Sequence, residues 1–233
     1  MTADGPPAVA RTALVTGANR GLGLAIAGRL LALGHHVVVA ARDEAAAQRA
    51  ADALGPGAVG LSMDVTDEHS IARSRDRAGP VDILVNNAGV LLAEDTVPDQ
   101  VSSAVIGATF KVNALGPWMV SQAFLPVMQA RGWGRIVMVS SGTARFSGGL
   151  HPQAAAYSMS KTALNAITVL LATATEGSGV LVNAVNPGRV RTRMMPEATC
   201  PPEEAAVDVA WVATLPDGGP TGRLFRGRRE TAW

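Results

Sequence analysis

The sequence predicts an α/β protein: one doubly wound parallel sheet of about seven strands, with helices on both faces. Two observations predict it. Along all 233 residues, short β-branched runs alternate with longer Ala/Leu-rich stretches of helical pattern. The runs are apolar from end to end, which marks strands covered on both faces rather than one. No repeat, low-complexity tract or linker divides the chain, so 1–11 read as a flexible N-terminal tail and 12–233 as a single domain.

The elements follow in order. Thr12–Thr16 is the first apolar run, followed by glycines and a helical stretch over Leu22–Leu33 that stops at Gly34. Val37–Ala40 is the second run, and an Ala-rich helix over Glu44–Leu54 leads to Ala58–Met63. A short helical stretch precedes Val81–Val85. Long helical patterns fill Val101–Ala130 and Ala155–Thr175, separated by the strand-like Arg135–Val139. Val180–Val185 is a sixth strand. Pro201 and Pro202, followed by Glu203 and Glu204, open a helix running to Thr214. Proline suits a first turn and acids suit its positive end. Arg223–Phe225 is the last strand. Crossovers between parallel strands are right-handed, and ligands of such sheets bind beyond the carboxyl ends of the strands. The residues just after each apolar run are therefore the candidates for function.

Composition excludes several classes. Apolar residues make up 48% and charged residues 17%, which is a globular and not a disordered composition. A formal charge of +1 gives no electrostatic case for nucleic acid or membrane partners. Cys200 is the only cysteine, so no internal disulfide forms, and no metal site is expected. No apolar run approaches a membrane span, and Met1–Ala10 lacks the pattern of a signal peptide, which implies a cytoplasmic protein. Lys111 and Lys161 are the only lysines among 20 basic residues, and Tyr157 is the only tyrosine.

The first loop reads Thr16-Gly17-Ala18-Asn19-Arg20-Gly21-Leu22-Gly23. Glycines between a strand and a helix let the backbone approach a pyrophosphate, and the helix N-terminus supplies N–H donors. The alternative is an ordinary tight turn. After the second run stands Ala41-Arg42-Asp43, where a site for NAD would place an acid on the ribose hydroxyl. Arg42, flanked by Arg20, suits a 2′-phosphate instead, and Asp43 can cap the next helix. This favours NADP(H) over NAD(H). Asp64-Val65 and Asn86-Asn87-Ala88-Gly89 follow the third and fourth runs; Asp64 suits an adenine amine, but turn chemistry explains both equally. The fifth run ends in Ser140-Ser141, and Tyr157 precedes Lys161 by one helical turn. A phenol is a poor acid/base at neutral pH unless a cation lowers its pKa, and a compact lysine head can do so.

Taken in order, Thr16–Gly23, Asn86–Gly89, Ser141, Tyr157 with Lys161, and Pro187-Gly188 resemble the short, non-extended branch of the short-chain dehydrogenase/reductases. The resemblance spans Thr12 to Phe225; Gly219–Gly222 and Trp233 look like the carbonyl-reductase-like subgroup. It implies a Rossmann-type fold and a catalytic set of Asn113, Ser141, Tyr157 and Lys161. Tyr157 would be the acid/base, Lys161 would lower its pKa and hold the nicotinamide ribose, Ser141 would polarise the carbonyl, and Asn113 would anchor Lys161 and its proton-relay water. The implied cofactor residues are Gly17, Asn19, Arg20, Gly21, Leu22, Gly23, Arg42, Asp64, Val65, Asn87, Ala88, Gly89, Tyr157, Lys161, Pro187, Gly188, Val190 and Thr192, the last two facing the carboxamide. The expected reaction is NADPH-dependent reduction of a ketone or aldehyde, or its reverse. The alternative is a non-catalytic NADP-binding regulator on the same fold. A homodimer or homotetramer through Val101–Ala130 and Ala155–Thr175 is expected from the family.

Departures from the family pattern bear on the pocket. Thr66–Gly79 is short, which should trim a helix far from the site. The interval of 16 from Ser141 to Tyr157 is longer than usual and should reshape the substrate wall. The substrate loop near 193–201 is short, which implies an open pocket. Leu91, Leu92, Thr143, Phe146, Leu150, His151, Met194 and Met195 are candidate wall residues for an apolar substrate.

Overall fold

The computed structural model describes residues 9–148 and 150–233. Of the tail expected over 1–11, residues 1–8 lie outside the described residues. Arg11 departs from that expectation: its amide donates to His35 Nδ1 at 3.2 Å and its guanidinium lies 3.9 Å over the Trp133 ring.

Among the described residues, eight strands form one sheet: β1 Thr12–Thr16, β2 His36–Ala41, β3 Ala58–Ser62, β4 Ile83–Asn86, β5 Gly134–Val139, β6 Val180–Val185, β7 Leu224–Arg226 and β8 Arg229–Thr231. Their order is β3-β2-β1-β4-β5-β6-β7-β8, parallel except for the β7–β8 pair. β8 is the strand the sequence pattern does not announce. It is half of a hairpin whose turn puts Gly227 and Arg228 at φ of 57° and 60°, the primed geometry that suits strand twist. Arginine is an uncommon residue there, so the turn gives no composition signal.

The helices are α1 Gly21–Ala32, α2 Glu44–Leu54, α3 Glu68–Ala78, α4 Ser103–Phe110, α5 Gly116–Ala130, α6 Ala155–Ala174 and α7 Pro202–Ala213. Successive strand residues point to opposite faces. Ala13, Val15, Val37, Val39 and Val85 therefore join one core with α1, α2 and α7. Leu14, Val38, Leu84, Ile136 and Val182 join the other with α3, α5 and α6. This is why the strands read as unbroken apolar runs.

The helical pattern over Val101–Ala130 is not one regular helix. A π-helical turn, Lys111–Leu115, separates α4 from α5. Gly116 packs so close to the Val65 carbonyl that a Cβ there would sit 2.9 Å from its oxygen. Such wide turns recur at functional sites because they reposition a side chain against its helix; here the turn carries Asn113.

Candidate active site

The chain winds from β1 outward to β3, then returns to β4 on the other side of β1. The carboxyl ends of β1 and β4 thus flank the crevice where the winding reverses. Thr16 and Asn87 stitch it. The Asn87 side-chain amide donates to the carbonyls of Thr16 (2.9 Å) and Gly17 (3.3 Å), and the Asn87 and Ala88 amides both donate to Thr16 Oγ1 at 3.0 Å. Thr16 opens the glycine motif, but its sequence position shows no role for its hydroxyl, which depends on partners 71 and 72 positions away. Gly17 has φ 64°, and a Cβ on Gly23 would meet Asn87 Nδ2 and the Gly17 carbonyl at 2.5 Å. These two positions need glycine, and the cradle they leave is backbone-lined. Thr192 comes to the same loop, its methyl 3.5 Å from where a Cβ on Gly21 would stand. Asn19, Arg20 and Leu22 lie on this loop too, Arg20 exposed as the N-cap residue of α1.

At the end of β2, Asp43 accepts from the Ala46 amide at 2.6 Å and caps α2. Glu44 pairs with Arg77 at 2.7 Å. Arg42 is exposed, with its carbonyl accepting from the Ser62 hydroxyl at 3.1 Å. Asp64 accepts from the Thr66 amide (2.9 Å) and hydroxyl (2.8 Å). Burial would raise its pKa, but those two bonds, with the Arg42 and Lys111 charges, hold the carboxyl below its usual range. Lys111, unassigned in the sequence, thus has a carboxylate to face. Val65 is buried against α5.

Beyond β6, Asn186 Oδ1 accepts from the Gly188 amide at 3.0 Å and shapes the Pro187-Gly188 turn. Val190 is buried and bridges Cys200, and the Thr192–Met195 bridge with the Arg189–Glu197 ion pair (3.6 Å) ties down the segment between. The segment 193–201 is therefore a short tethered turn.

Asn113 and Lys161 come together at Gly89, with Tyr157 beside Lys161 and bonded to Ser141. A Cβ on Gly89 would stand 3.3 Å from Asn113 Oδ1 and 3.5 Å from Lys161 Nζ. Asn113 is fully buried; its Oδ1 accepts the Val90 amide at 2.8 Å, and its Nδ2 donates to the Val90 carbonyl (2.8 Å) and to Ser160 Oγ (3.1 Å). Ser160 passes that tie to the Tyr157 carbonyl at 2.7 Å. Asn113 is thus tied to α6 through Ser160, a member of the cluster that spacing did not single out.

Lys161, 4% exposed, donates to the Val139 carbonyl at 2.8 Å. Burial brings its pKa down to about 8. Its Nζ lies 5.9 Å from the Tyr157 ring centroid. Burial raises the Tyr157 phenol above its usual value, and a hydrogen bond with Ser141 partly offsets this. Lys161 is not among the causes of the phenol's shift: burial leads both shifts and disfavours the charged form of each group, where the spacing alone implied a lowered phenol. Ser141 Oγ accepts from the Thr143 amide (3.2 Å) and hydroxyl (3.0 Å), which frees its own hydrogen for the phenol side. Thr143, read from sequence as a wall residue, is a support for Ser141.

The extra residues between Ser141 and Tyr157 form the 3₁₀ turns Gly142–Ala144, Phe146–Gly148 and Pro152–Ala154. They present Phe146 and Leu150 to solvent, and Met194 is exposed on the 193–201 turn. Leu91 and Leu92 are half-buried after β4, and His151 is exposed. No group of three or more His, Cys, Asp or Glu residues suited to a metal ion occurs among the described residues. Nor, among them, is any helix long and apolar enough to cross a membrane.

Comparison with known proteins supplies the relationship. The family model described as short chain dehydrogenase matches residues 11–201. An NADPH-dependent aldehyde reductase-like protein of the chloroplast of Arabidopsis thaliana is 32% identical, over 84% of this chain and 78% of that one. The 3-oxoacyl-[acyl-carrier-protein] reductase MabA of Mycobacterium bovis is 34% identical, over 81% and 73%. The solved structure of a 3-ketoacyl-(acyl-carrier-protein) reductase from Brucella melitensis, complexed with NADH, superposes with a TM-score of 0.84 at 26% identity, covering 92% of this chain and 95% of that one. Model, relatives and fold agree: this chain belongs to the short-chain dehydrogenase family of oxidoreductases.

Proposed function

We propose that the protein reduces a ketone or aldehyde to an alcohol, or runs the reverse, with NADPH as the preferred cofactor and Tyr157 as acid/base. The observation that carries this reading is the convergence of Asn113 and Lys161 on Gly89, with a neutral Tyr157 bonded to Ser141 beside them. The nicotinamide, when bound, supplies the hydride. Tyr157 donates the proton to the carbonyl oxygen, a task that needs the phenol protonated at neutral pH. Ser141 donates a hydrogen bond to the same oxygen, its own oxygen held by Thr143. Lys161 spends one N–H on Val139 and keeps the others for a ribose hydroxyl and the phenol. Gly17, Gly21 and Gly23, with the α1 N-terminus, form the cradle for a pyrophosphate. Cofactor preference rests on Asp43 and Glu44 being occupied by the α2 cap and Arg77, while Arg42 stands exposed at the end of β2.

The test is a panel of aromatic and aliphatic aldehydes, ketones and a 3-oxoacyl thioester, each with NADPH and NADH. NADPH oxidation dependent on one of them is expected; a panel that leaves NADPH untouched contradicts the reading. Arg42→Asp should weaken NADPH by about tenfold or more, the worth of a charge-assisted bond, with NADH little changed. An unchanged ratio of the two cofactors refutes the preference. We also propose self-association through α5 and α6, whose Val127, Val169 and Leu170 are exposed; a monomer by light scattering counts against it.

A further inference from the structure

We infer that Asp95 is a positioning residue for the reaction: its carboxylate seats the first turn of α6 and, with it, Tyr157. The inference rests on the reading of Tyr157 as acid/base and adds the device that holds it. α6 starts after Ala154, a residue with no side chain to cap it. The first N–H groups of a helix have no partner within the helix, and they must find one elsewhere. Here they find a single dipeptide. The Ala155 amide donates to the Thr96 carbonyl at 3.1 Å, the Ala156 amide to Asp95 Oδ1 at 3.0 Å, and the Tyr157 amide to Asp95 Oδ2 at 2.8 Å. Both oxygens of one carboxylate are thus committed, one of them to the backbone of Tyr157 itself. The negative charge also faces the positive end of the helix.

Asp95 belongs to the segment that leaves β4. The other end of that segment is held by Asn113, which pairs with both polar groups of the Val90 backbone. Between them the Asp95 amide closes a turn onto the Leu92 carbonyl at 3.1 Å. Residues 90–96 therefore form a strap from the π-helical turn to the first turn of α6, with the candidate wall residues Leu91 and Leu92 along it. Ser141 sits on a different loop, after β5. The distance between hydroxyl and phenol thus depends on where the strap sets the start of α6, and catalytic geometry is sensitive to displacements of this size.

The chain's single tyrosine makes the test direct, because tyrosine labelled with ¹³C at Cζ gives one resonance, that of Tyr157. The variants are Asp95→Ala, which removes both acceptors, and Asp95→Asn, which keeps one; Asn also decides the matter if Ala fails to fold. Activity is read with NADPH and benzaldehyde or a 3-oxoacyl thioester, well below each variant's Tm. The expected result is a fall in kcat of about tenfold or more in Asp95→Ala, a smaller fall in Asp95→Asn, cofactor affinity within about twofold of wild type, and a displaced or broadened Tyr157 resonance. A resonance unmoved in both variants overturns the proposal whatever happens to Tm, and so does a kcat within about twofold of wild type. If the wild type reduces no member of the carbonyl panel, the reading of Tyr157 as acid/base is what fails, and the resonance alone decides whether Asp95 positions the ring.

Discussion

Each end of the sheet buries one long cation, and the two are treated in opposite ways. At the foot of β5, Arg135 is 1% exposed and makes four hydrogen bonds among the described residues. It donates to the carbonyls of Leu215 (2.8 Å), Gly134 (2.8 Å) and Gly179 (3.2 Å) and to Asp217 (2.7 Å). Its guanidinium lies 4.2 Å over the Trp133 ring, and Trp133 donates to the same Asp217 at 2.7 Å. At the carboxyl end of the sheet, Lys161 is as deeply buried but has one hydrogen bond, to Val139, and no carboxylate partner among the described residues. Arginine's fixed fork suits a site that engages most of its donors, and lysine's compact head suits one that keeps donors in reserve. The foot of the sheet spends its buried charge on stability; the top bears the cost of an unsaturated one, as functional sites do.

Exchanging each cation for a neutral side chain of similar length sharpens that contrast, and the largest expected effect is at the top. Lys161→Met should lower kcat by about 10²–10³, the scale of losing one aimed electrostatic donor. It should not cost stability. Burial lowers the lysine's pKa from 10.5 to about 8, so as pH falls the unfolded chain takes up this proton before the folded one does. Wild-type stability therefore carries the full penalty below about pH 8 and recovers it as pH rises toward 10.5. At pH 7 the variant should be more stable than wild type by about 1–3 kcal/mol, and the gain should fade across that window. Urea unfolding at pH 7 and pH 10 measures both. A variant less stable at pH 7 would break the comparison.

Arg135→Met should do the reverse. It orphans buried carbonyls, each worth about 1–3 kcal/mol, while KM and kcat at 25 °C stay near wild type. Loss of turnover in a folded Arg135→Met protein would show that the two ends are coupled. The smallest effect is expected from Thr143→Val, which removes one donor to Ser141 and keeps the volume. One neutral hydrogen bond is worth about 1 kcal/mol, so kcat should fall by up to about tenfold, and Thr143→Ser should restore it.

How much of this was legible in the sequence follows the same division. Every strand buried on both faces was readable from its apolar run, and Thr12–Thr16 and Val180–Val185 have the observed bounds. The short-range chemistry was readable too: Asp43 caps α2 as its position implied, and Tyr157 and Lys161 share the helix α6. What escaped depends on contacts distant in sequence. The anchor between Asp95 and Tyr157 spans 62 residues, and the arginine at the foot reaches Asp217 over 82. β8 escaped because its pairing is local but its turn residue is atypical. The π-helical turn escaped because the apolar pattern of Val101–Ala130 continues through it. The electrostatics of Tyr157 came out with the opposite sign because spacing shows a neighbour and cannot show burial.

The most direct test compares carbonyl-dependent oxidation of NADPH by the wild type with that of Tyr157→Phe. Phenylalanine keeps the ring in place and removes the acid. A fall in kcat of about 10²–10⁴ is expected, with cofactor affinity retained. Near-normal turnover in that variant, with the same carbonyl substrate, would contradict the role of Tyr157 as acid/base.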